Sequence, residues 1–368
     1  MNNPISRHPY RKAGPGRDNR RLRSASPAGG RRRLICTAAA LMAVVVTAAG
    51  CLSPSDDDDD QPSGGDGELV ELRIAASLVD SIPYMTILQV ATDQGWFQEA
   101  GLDVTVINAG GGGDTTRLLT SAQAEVGLAG PDAIYKAATS AGSGITIMGA
   151  WFEHNIVVWV AAEPDVPLQG ARLGVTGAGS TGEFLVHAMQ AARPDLDLEP
   201  VVVAGLGANW AAARAGEIDG AYSAQPQAQQ LFAEGGQPLV RPSEVIGDLP
   251  MNLAAVRTGF AEESPDAVRA FWEVADRAFT YIRDDPDAAS VELNKIIDMD
   301  LDLLQAAMQE MVQAETAFTI AIDCAGFRNL AEQWAKTGLV TDPVDWAQVM
   351  DQQYLPADAQ CDDFGAAG

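Results

Sequence analysis

Two glycine-rich turns carry the clearest chemical signal in the sequence. Residues 110–113 are four glycines followed by Asp114 and Thr115, and residues 177–182 have the spacing G-x-G-x-x-G. Each turn follows an apolar run and precedes a helical pattern, so each is predicted to aim backbone N–H groups at a ligand. Such groups bind anionic or polar parts of small molecules. A merely flexible connection is the alternative for the first turn.

The second turn has the spacing of a dinucleotide-binding fingerprint but lacks its acidic partner. That fingerprint needs an acidic side chain at the end of the following strand, where it binds a ribose hydroxyl. Here the predicted strand at residues 201–203 is followed by Ala204 and Gly205, and Glu199 stands at its start instead. The sequence therefore favours a small solute over a nucleotide.

A third candidate feature combines Trp151, Glu153, His154 and Asn155 in one short run. Aromatic and polar side chains together are typical of a small-molecule pocket. An aromatic core pair beside a helix cap would have the same composition. No second histidine stands near His154, and His187 is distant in sequence, so no metal site is predicted.

Short apolar strands that alternate with helices must position these features. The pattern begins with a strand at residues 72–76, a helix entered at Pro83 and capped by Ser81, and a strand at residues 104–107. Turns that follow parallel strands gather at one edge of the sheet, where open α/β sheets bind ligands. The predicted ligand-binding residues from these turns and from the aromatic run are Asp80, Ser81, Tyr84, Gly110, Asp114, Thr115, Gly130, Asp132, Trp151, Glu153, His154, Asn155, Gly179, Ser180 and Thr181.

Charge separates the first fifty residues from the rest of the chain. The formal net charge is −26, although residues 1–50 hold ten Lys or Arg residues and one acidic residue. The remainder is therefore strongly acidic, which argues against nucleic acid as a partner, because both would be negatively charged. Adaptation to high salt and an ordinary acidic secreted protein both fit this composition.

The N-terminal segment indicates export and lipidation. Arginines up to Arg33 precede the apolar residues 34–50, a stretch too short and alanine-rich for a membrane span. It ends in Ala-Ala-Gly before Cys51, which resembles a bacterial lipobox. Residues 1–50 are therefore predicted to be a lipoprotein signal peptide, and Cys51 is predicted to carry a lipid such as palmitate on the extracytoplasmic face of the cell membrane. Ordinary signal cleavage beside an incidental cysteine is the alternative.

The segment after the lipid site is predicted to be a tether. Residues 51–68 contain five consecutive aspartates with Pro, Ser and Gly, a composition that cannot bury apolar surface. Beyond it, Cys324 and Cys361 are the remaining cysteines of the exported chain. They are predicted to form one disulfide that ties the C-terminal tail to the last helices. Two buried free thiols are the alternative.

A family resemblance is carried by residues 94–104, QGWFQEAGLDV. This segment resembles the signature of extracytoplasmic solute-binding proteins of ABC importers for nitrate, sulfonates, taurine and thiamine-pyrimidine precursors. Residues 121–127 and 213–220 resemble two further segments of that family. In the family, the strand end that corresponds to the neighbourhood of Gln225 returns to the ligand cleft, so Gln225 joins the predicted site.

The resemblance implies an α/β, two-lobed periplasmic-binding-protein-like fold of type II with two crossover strands. The C-terminal helices are expected to pack on lobe one and to contribute core rather than site residues. The implied divisions are lobe one at 69–155, lobe two at 156–256, a helical return to lobe one at 257–350, and a C-terminal tail at 351–368.

The resemblance also implies a function: a lipid-anchored, monomeric solute-binding component that works with an ABC permease and its ATPase, without a cofactor or metal. Aromatic residues such as Tyr84 and Trp151, together with few basic residues in the candidate loops, favour a thiamine-type pyrimidine or similar heterocycle over a sulfonate or nitrate. The alternatives are a pyrimidine-synthase-like enzyme of the same fold and a sensory or adhesion lipoprotein that uses the same cleft. No cysteine cluster of the kind found in the enzyme stands in this sequence.

Overall fold

Strands and helices alternate along the chain in the computed structural model, which describes residues 69–203 and 205–365. Every described residue lies in one unit of the chain, Gly64–Gly368. The elements up to the first crossing are β1 (Val70–Ala76), α1 (Pro83–Asp93), α2 (Trp96–Glu99), β2 (Leu102–Asn108), α3 (Gly112–Thr120), β3 (Val126–Ala129), α4 (Pro131–Ala138) and β4 (Ile145–Phe152).

The second part of the chain contains the remaining elements. Those up to the return crossing are β5 (Val157–Ala161), β6 (Arg172–Val175), α5 (Thr181–Ala192), β7 (Glu199–Val202), α6 (Leu206–Arg214), β8 (Ala221–Ala224), α7 (Ala228–Ala233), β9 (Gln237–Val240) and α8 (Pro242–Ile246). Those after it are β10 (Asn252–Arg257), α9 (Thr258–Glu263), α10 (Pro265–Asp284), α11 (Pro286–Leu293), α12 (Leu301–Met311), α13 (Cys324–Thr337) and α14 (Trp346–Val349).

Lobe one is built on a five-stranded sheet in the order β2-β1-β3-β10-β4. Strand β1 is parallel to β2 and β3, whereas β10 runs antiparallel to β3 and β4. Leu72, Ile74 and Ala75 of β1 are fully buried. Side chains on both faces of the second half of this strand are covered, which explains why residues 74–76 are all apolar rather than alternating.

Lobe two repeats the topology of lobe one. Its strands form the pieces β8-β5-β9 and β6-β7. The backbone N–H of Gly174 in β6 donates to the carbonyl of Gly220, at 2.8 Å, immediately before β8. This contact aligns the two pieces in the order β7-β6-β8-β5-β9. Strands β6, β7 and β8 therefore occupy the places of β1, β2 and β3, and β5 occupies that of β10.

The chain crosses between the lobes twice. Strand β4 of lobe one leads into β5 of lobe two, and β9 and α8 of lobe two lead back to β10 in the sheet of lobe one. The chain has therefore returned to lobe one by Asn252. The predicted boundary of lobe two at residue 256 is therefore too late, because the apolar run of β10 does not reveal whether a strand crosses between lobes or lies inside a sheet.

The C-terminal helices contact both lobes. Phe271, Trp272 and Phe279 lie on the buried stripe of α10, which packs against α1 and α2 of lobe one. Helix α12, however, packs against α7, and α13 packs against α5, and both of these partners belong to lobe two. The prediction that the C-terminal helices pack on lobe one holds for α10, whereas α12 and α13 also contact lobe two.

The C-terminal tail packs back on lobe one. Met350 pairs with Ile147 of β4, and Leu355 is buried. A disulfide joins Cys324, at the start of α13, to Cys361, with their Cα atoms 5.5 Å apart. The tail is thus fixed both to the sheet of lobe one and to helix α13.

The predicted signal peptide, the lipid site Cys51 and the acidic tether lie outside the described residues. Across residues 69–203 and 205–365, none of the helices combines the length and the apolar character needed to cross a membrane.

Candidate functional site

A cavity of about 620 Å³ lies between the lobes. Its wall is made by the turns after β1, β2 and β3 of lobe one, by the turn after β6 and the strand β8 of lobe two, by both crossings, and by the end of α13. A volume of this size is within the range of small-molecule sites, about 300–1,000 Å³. The predicted site residues that line it are Tyr84, Gly130, Asp132, Gly179, Ser180 and Thr181.

The lobe-two wall includes the N-terminus of α5, where two backbone amides are bonded to side chains. Ser180 is the N-cap, and its Oγ accepts a hydrogen bond from the N–H of Glu183 at 3.3 Å. The carboxylate of Glu183 in turn accepts from the N–H of Gly179 at 2.6 Å. This arrangement resembles a capping box, except that the carboxylate binds the N–H of Gly179, one residue before the N-cap. The sequence predicts free N–H groups here, but those of Gly179 and Glu183 are bonded to side chains, which places a carboxylate at this helix end.

On the lobe-one wall, the cavity faces the start of α4. Pro131 and Asp132 form the first turn of this helix, and Gly130 is its N-cap. The side chain of Asp132 lies 3.7 Å from the ammonium of Lys136, one turn further along, and both side chains are about half exposed. Ser77, Leu78 and Ile82 from the turn after β1 complete this wall.

Aromatic rings from both lobes line the cavity. Tyr84 of lobe one is 4% exposed and stacks on Phe152 with ring centroids 4.0 Å apart. Tyr222 of lobe two packs edge-on against Trp159. Burial raises the pKa of Tyr84, and the neighbouring Tyr222 raises it further. Burial also raises the pKa of Tyr222, to about 12. Both hydroxyls therefore stay protonated near neutral pH and can donate or accept a hydrogen bond.

The charged groups of the wall are mainly acidic. Apart from the tyrosines, the ionisable lining side chains are Asp132, Glu183 and His187, and no Lys or Arg belongs to the described lining. A bare nitrate or sulfonate would therefore meet carboxylates without a guanidinium or ammonium partner.

Trp151 lies in the core of lobe one rather than in the cavity wall. It is fully buried against Phe271 and Phe279, and its Nε1–H donates to the carbonyl of Tyr84 at 2.8 Å. The residue fixes the first turn of α1 and thus positions the ring of Tyr84. The surroundings of Trp151 match the alternative interpretation of this run, an aromatic core pair beside a helix cap.

Glu153 is also buried away from the cavity. It is 2% exposed, and one carboxylate oxygen accepts a hydrogen bond from the N–H of Asp323 while the other has no protein partner. Burial raises the pKa of Glu153 to about 8, and the charges of Asp323 and Asp248 act in the same direction, against the lowering effect of the hydrogen bond. This carboxyl group lies at the crossing, next to α13.

His154, Asn155 and Gln225 lie at the crossing between the lobes. The Nδ1 of His154 lies 3.3 Å from the carboxylate of Asp248. Burial would raise the pKa of Asp248, but its hydrogen bonds and the charge of His154 hold it below the usual value. Gln225 donates to Glu310 of α12 at 2.7 Å. These three predicted residues line a separate void of about 20 Å³ rather than the main cavity.

The remaining predicted residues lie at or behind the rim. Thr115 is fully buried, and its hydroxyl donates to the carbonyl of Gly111. Asp114 lies in the first turn of α3, which begins at Gly112, and faces Arg117 at 3.4 Å. Neither of these side chains lines the cavity, and neither do Asp80, Ser81 and Gly110.

Ser81 nevertheless joins the two lobes. The sequence predicts Ser81 as the N-cap of α1. In the structure the N-cap is Ile82, and its side chain makes no capping hydrogen bond. The carbonyl of Ser81 accepts a hydrogen bond from the Nε2 of Gln227, at 3.1 Å. Because Gln227 follows β8, this bond links lobe one to lobe two.

Sequence reasoning missed the contribution of α13. Leu330, Trp334, Thr337 and Gly338 line the cavity, although the C-terminal helices were expected to provide only core. The apolar stripe of α13 gives no local signal of this role, because Trp334 is 1% exposed and has the pattern of an ordinary core residue. In the described part of the chain, no group of three or more His, Cys, Asp or Glu residues is arranged to hold a metal ion.

The fold and the cleft define a periplasmic-binding-protein-like chain: two lobes of one topology, two crossings, and a cavity at the carboxyl ends of the strands. The chain belongs to the NMT1/THI5-like family, whose model matches residues 82–289, more than half of the sequence. No curated protein sequence matches it.

Solved structures support the same fold. The ligand-binding component of an ABC-type import system from Staphylococcus aureus, with zinc bound, is 13% identical, with a TM-score of 0.61 over 78% of this chain and 99% of that one. The periplasmic aliphatic sulphonate-binding protein SsuA from Escherichia coli is 16% identical, with a TM-score of 0.59 over 77% and 92%. The desulfurization enzyme DszB is 16% identical, with a TM-score of 0.56 over 78% and 97%. This fold therefore serves both binding proteins and an enzyme.

Proposed function

We propose that this chain is the extracytoplasmic solute-binding component of an ABC importer and that it closes on a small organic solute in the interlobe cavity. The observation that carries the proposal is the cavity itself, because its wall is shared between lobes joined by two crossings. A solute that contacts both lobes binds the closed state better than the open state. An ABC permease, with its ATPase, would then recognise the closed, monomeric protein.

The favoured solute is a thiamine-type pyrimidine or a similar heterocycle rather than a sulfonate or nitrate. The rings of Tyr84 and Tyr222 offer flat apolar surface with a hydroxyl at the edge. The acidic wall, which includes the carboxylate of Glu183 at the N-terminus of α5, disfavours a small anion. Hydrogen-bond donors on a heterocycle would instead find acceptors in Asp132 and the tyrosine hydroxyls.

Binding is proposed in preference to catalysis, although DszB has the same fold. The described cysteines, Cys324 and Cys361, are joined to each other and do not line the cavity. A thiol nucleophile in the cleft therefore has no candidate among the described residues. A sensory or adhesion lipoprotein would use the same cavity, and the presence of permease and ATPase genes beside this gene would favour transport.

The test is a binding comparison with the exported protein. Thermal-shift screening and then calorimetric titration would use 4-amino-5-hydroxymethyl-2-methylpyrimidine, taurine and nitrate. Tyr222→Leu is expected to weaken pyrimidine binding at least tenfold, because it removes ring surface and a hydroxyl from the wall. Tyr281→Leu is the matched control, since Tyr281 packs on Trp96 outside the cavity. Binding of taurine or nitrate alone, or equal effects of both variants, would contradict the proposed ligand class and site.

The proposed membrane anchor has its own test. If Cys51 carries the lipid, Cys51→Ala should move the protein from the membrane fraction to the medium or periplasm, as followed by immunoblotting. Ser55→Ala, a conservative change in the predicted tether, is the control variant, since it leaves both the lipobox and the disulfide intact. Membrane retention of the Cys51→Ala protein would contradict the lipid anchor. It would not bear on the proposed solute binding, which is tested separately.

A further inference from the structure

We infer that the interlobe cavity selects a positively charged organic solute, such as an ammonium or amidinium ion on a flat ring, over neutral and anionic molecules of the same shape. The inference rests on the proposed function and specifies the class of ligand. Three features of the cavity carry it: the sign of the lining charges, the state of the helix N-termini, and the aromatic rings.

The lining charges come from both lobes. Asp132 belongs to lobe one and Glu183 to lobe two, so a solute between the lobes meets a carboxylate on each side. The basic residue nearest in sequence to Asp132 is Lys136, which is exposed, lies 3.7 Å from that carboxylate and does not line the cavity. Opposite charges attract more strongly in a cleft from which water is partly excluded than they do in bulk water.

The helix N-termini at the cavity carry acidic side chains that disfavour an anion. Each of the helices α3, α4 and α5 has an acidic residue in its first turn: Asp114, Asp132 and Glu183. At α5 the carboxylate of Glu183 is bonded to the N–H of Gly179 at 2.6 Å. An acidic side chain thus stands in the first turn of each helix, where its negative charge disfavours an anionic ligand.

The aromatic rings that line the cavity also favour a cation. Tyr84, Phe184, Tyr222 and Trp334 all line the cavity, and they come from α1, α5, β8 and α13. A cation near the face of an aromatic ring is attracted by the ring quadrupole, and this attraction grows as water is removed. Tyr84 is 4% exposed and lines the cavity, and a tyrosine hydroxyl oxygen can accept a hydrogen bond from an ammonium or amidinium N–H.

The experiment compares matched ligands that differ only in charge. The first series is 4-amino-2-methylpyrimidine with an aminomethyl, a hydroxymethyl or a sulfomethyl group at position 5. The second series, benzylammonium, benzyl alcohol and phenylmethanesulfonate, keeps a ring but has no pyrimidine. Calorimetric titration of the exported protein at neutral pH is expected to give at least tenfold tighter binding of the cation than of the neutral member. The sulfonates should bind weakest.

Variants assign the preference to the cavity. Asp132→Asn combined with Glu183→Gln removes both lining charges while keeping the shape, and glutamine retains the capping acceptor. This double variant should lose most of the cation preference without losing affinity for the neutral ligand. Phe184→Leu should reduce the preference by removing a ring while keeping an apolar side chain. Asp103→Asn, on an exposed part of β2 outside the cavity lining, is the control for net charge.

The outcomes separate this inference from the proposed function. Equal binding of the cationic and neutral members of a series leaves solute binding in place and overturns charge selection, as does tighter binding of a sulfonate. Cation preference in the benzyl series without any pyrimidine binding would support charge selection and overturn the proposed heterocycle. An unchanged preference in the Asp132→Asn/Glu183→Gln variant would place the charge selection outside this cavity. Failure of both series to bind a protein with normal thermal unfolding would overturn both.

Discussion

The carboxylate of Glu183 accepts a hydrogen bond from the backbone N–H of Gly179 at 2.6 Å, and so holds a negative charge from the same helix at the N-terminus of α5. The glycine spacing at residues 177–182 is that of a turn that presents amides to an external group. Here the third residue of the helix supplies that group. The feature that suggested anion binding therefore became part of an acidic cavity wall.

We predict that this contact stabilises the fold. Glu183→Ala should lower the free energy of unfolding by about 1 kcal/mol, because it removes one side of a capping box and a negative charge beside a helix N-terminus. Glu183→Gln should cost about half as much or less, since it keeps the hydrogen-bond acceptor. Urea unfolding followed by circular dichroism measures both changes. Equal losses for the two variants would show that charge, not the hydrogen bond, makes the contribution.

The buried Glu153 gives a prediction about pH. Its pKa is raised from the usual value of 4.5 to about 8 by burial first and by the charges of Asp323 and Asp248 second. Between these two pH values the folded protein holds a proton on Glu153 that the unfolded chain has lost. The contribution of Glu153 to stability is therefore fully present below pH 4.5 and is lost as the pH rises to 8, with a limiting slope of about 1.4 kcal/mol per pH unit.

Glu153→Gln should remove this dependence. Glutamine stays neutral and can still accept the hydrogen bond from the N–H of Asp323, so the variant should be more stable than the natural protein above pH 8. The measurement is the free energy of unfolding of both proteins at a series of pH values. Glu163→Gln, at an exposed position, controls for the loss of one acidic residue. Parallel pH profiles for the natural protein and Glu153→Gln would contradict the raised pKa.

Glu310 links α12 to three side chains of lobe two. Its carboxylate accepts hydrogen bonds from Gln225 at 2.7 Å and Gln229 at 2.8 Å, and it pairs with Arg241. The Arg241 and Glu310 side chains are 27% and 36% exposed, so solvent screens the pair only in part. We predict a coupling free energy of about 1 kcal/mol between Arg241→Met and Glu310→Gln in a double-mutant cycle. A coupling near zero would mean that the two glutamines alone hold α12 against lobe two.

The disulfide should contribute more than any single hydrogen bond. Cys324 and Cys361 are 37 positions apart, and closing a loop of that length stabilises by about 3–4 kcal/mol in the chain-entropy model. The Cys324→Ser/Cys361→Ser variant should therefore unfold at lower denaturant concentration, and its affinity for solute should fall, because α13 lines the cavity. The control is the natural protein unfolded without reductant, in which thiol titration should find neither sulfhydryl. Detection of two free thiols there would contradict the prediction.

Several site residues could be predicted because parallel strands obey a local rule. The turns that contain Gly130, Asp132 and Ser180 follow strands, and parallel strands place such turns at one edge whatever the rest of the sequence is. Apolar periodicity identified β1, β2 and α10 for a similar reason: it records which side chains must be buried. These features of the fold can be predicted from the pattern of neighbouring residues alone.

The tertiary structure decided which segment covers each apolar face. Trp151 has the sequence context of a pocket residue, but α10 packs over it and places it in the core. Trp334 has the context of a core residue, yet the packing of α13 against α5 brings it to the cavity.

The sequence by itself thus determined the α/β alternation, the position of the turns and the acidic character of the domain. The partners of Trp151 and Trp334 were decided only by the packed chain. The type and spacing of side chains show which residues must be buried. The identity of the covering surface depends on contacts between residues more than a hundred positions apart, such as Trp151 and Phe279, and no local pattern specifies those contacts.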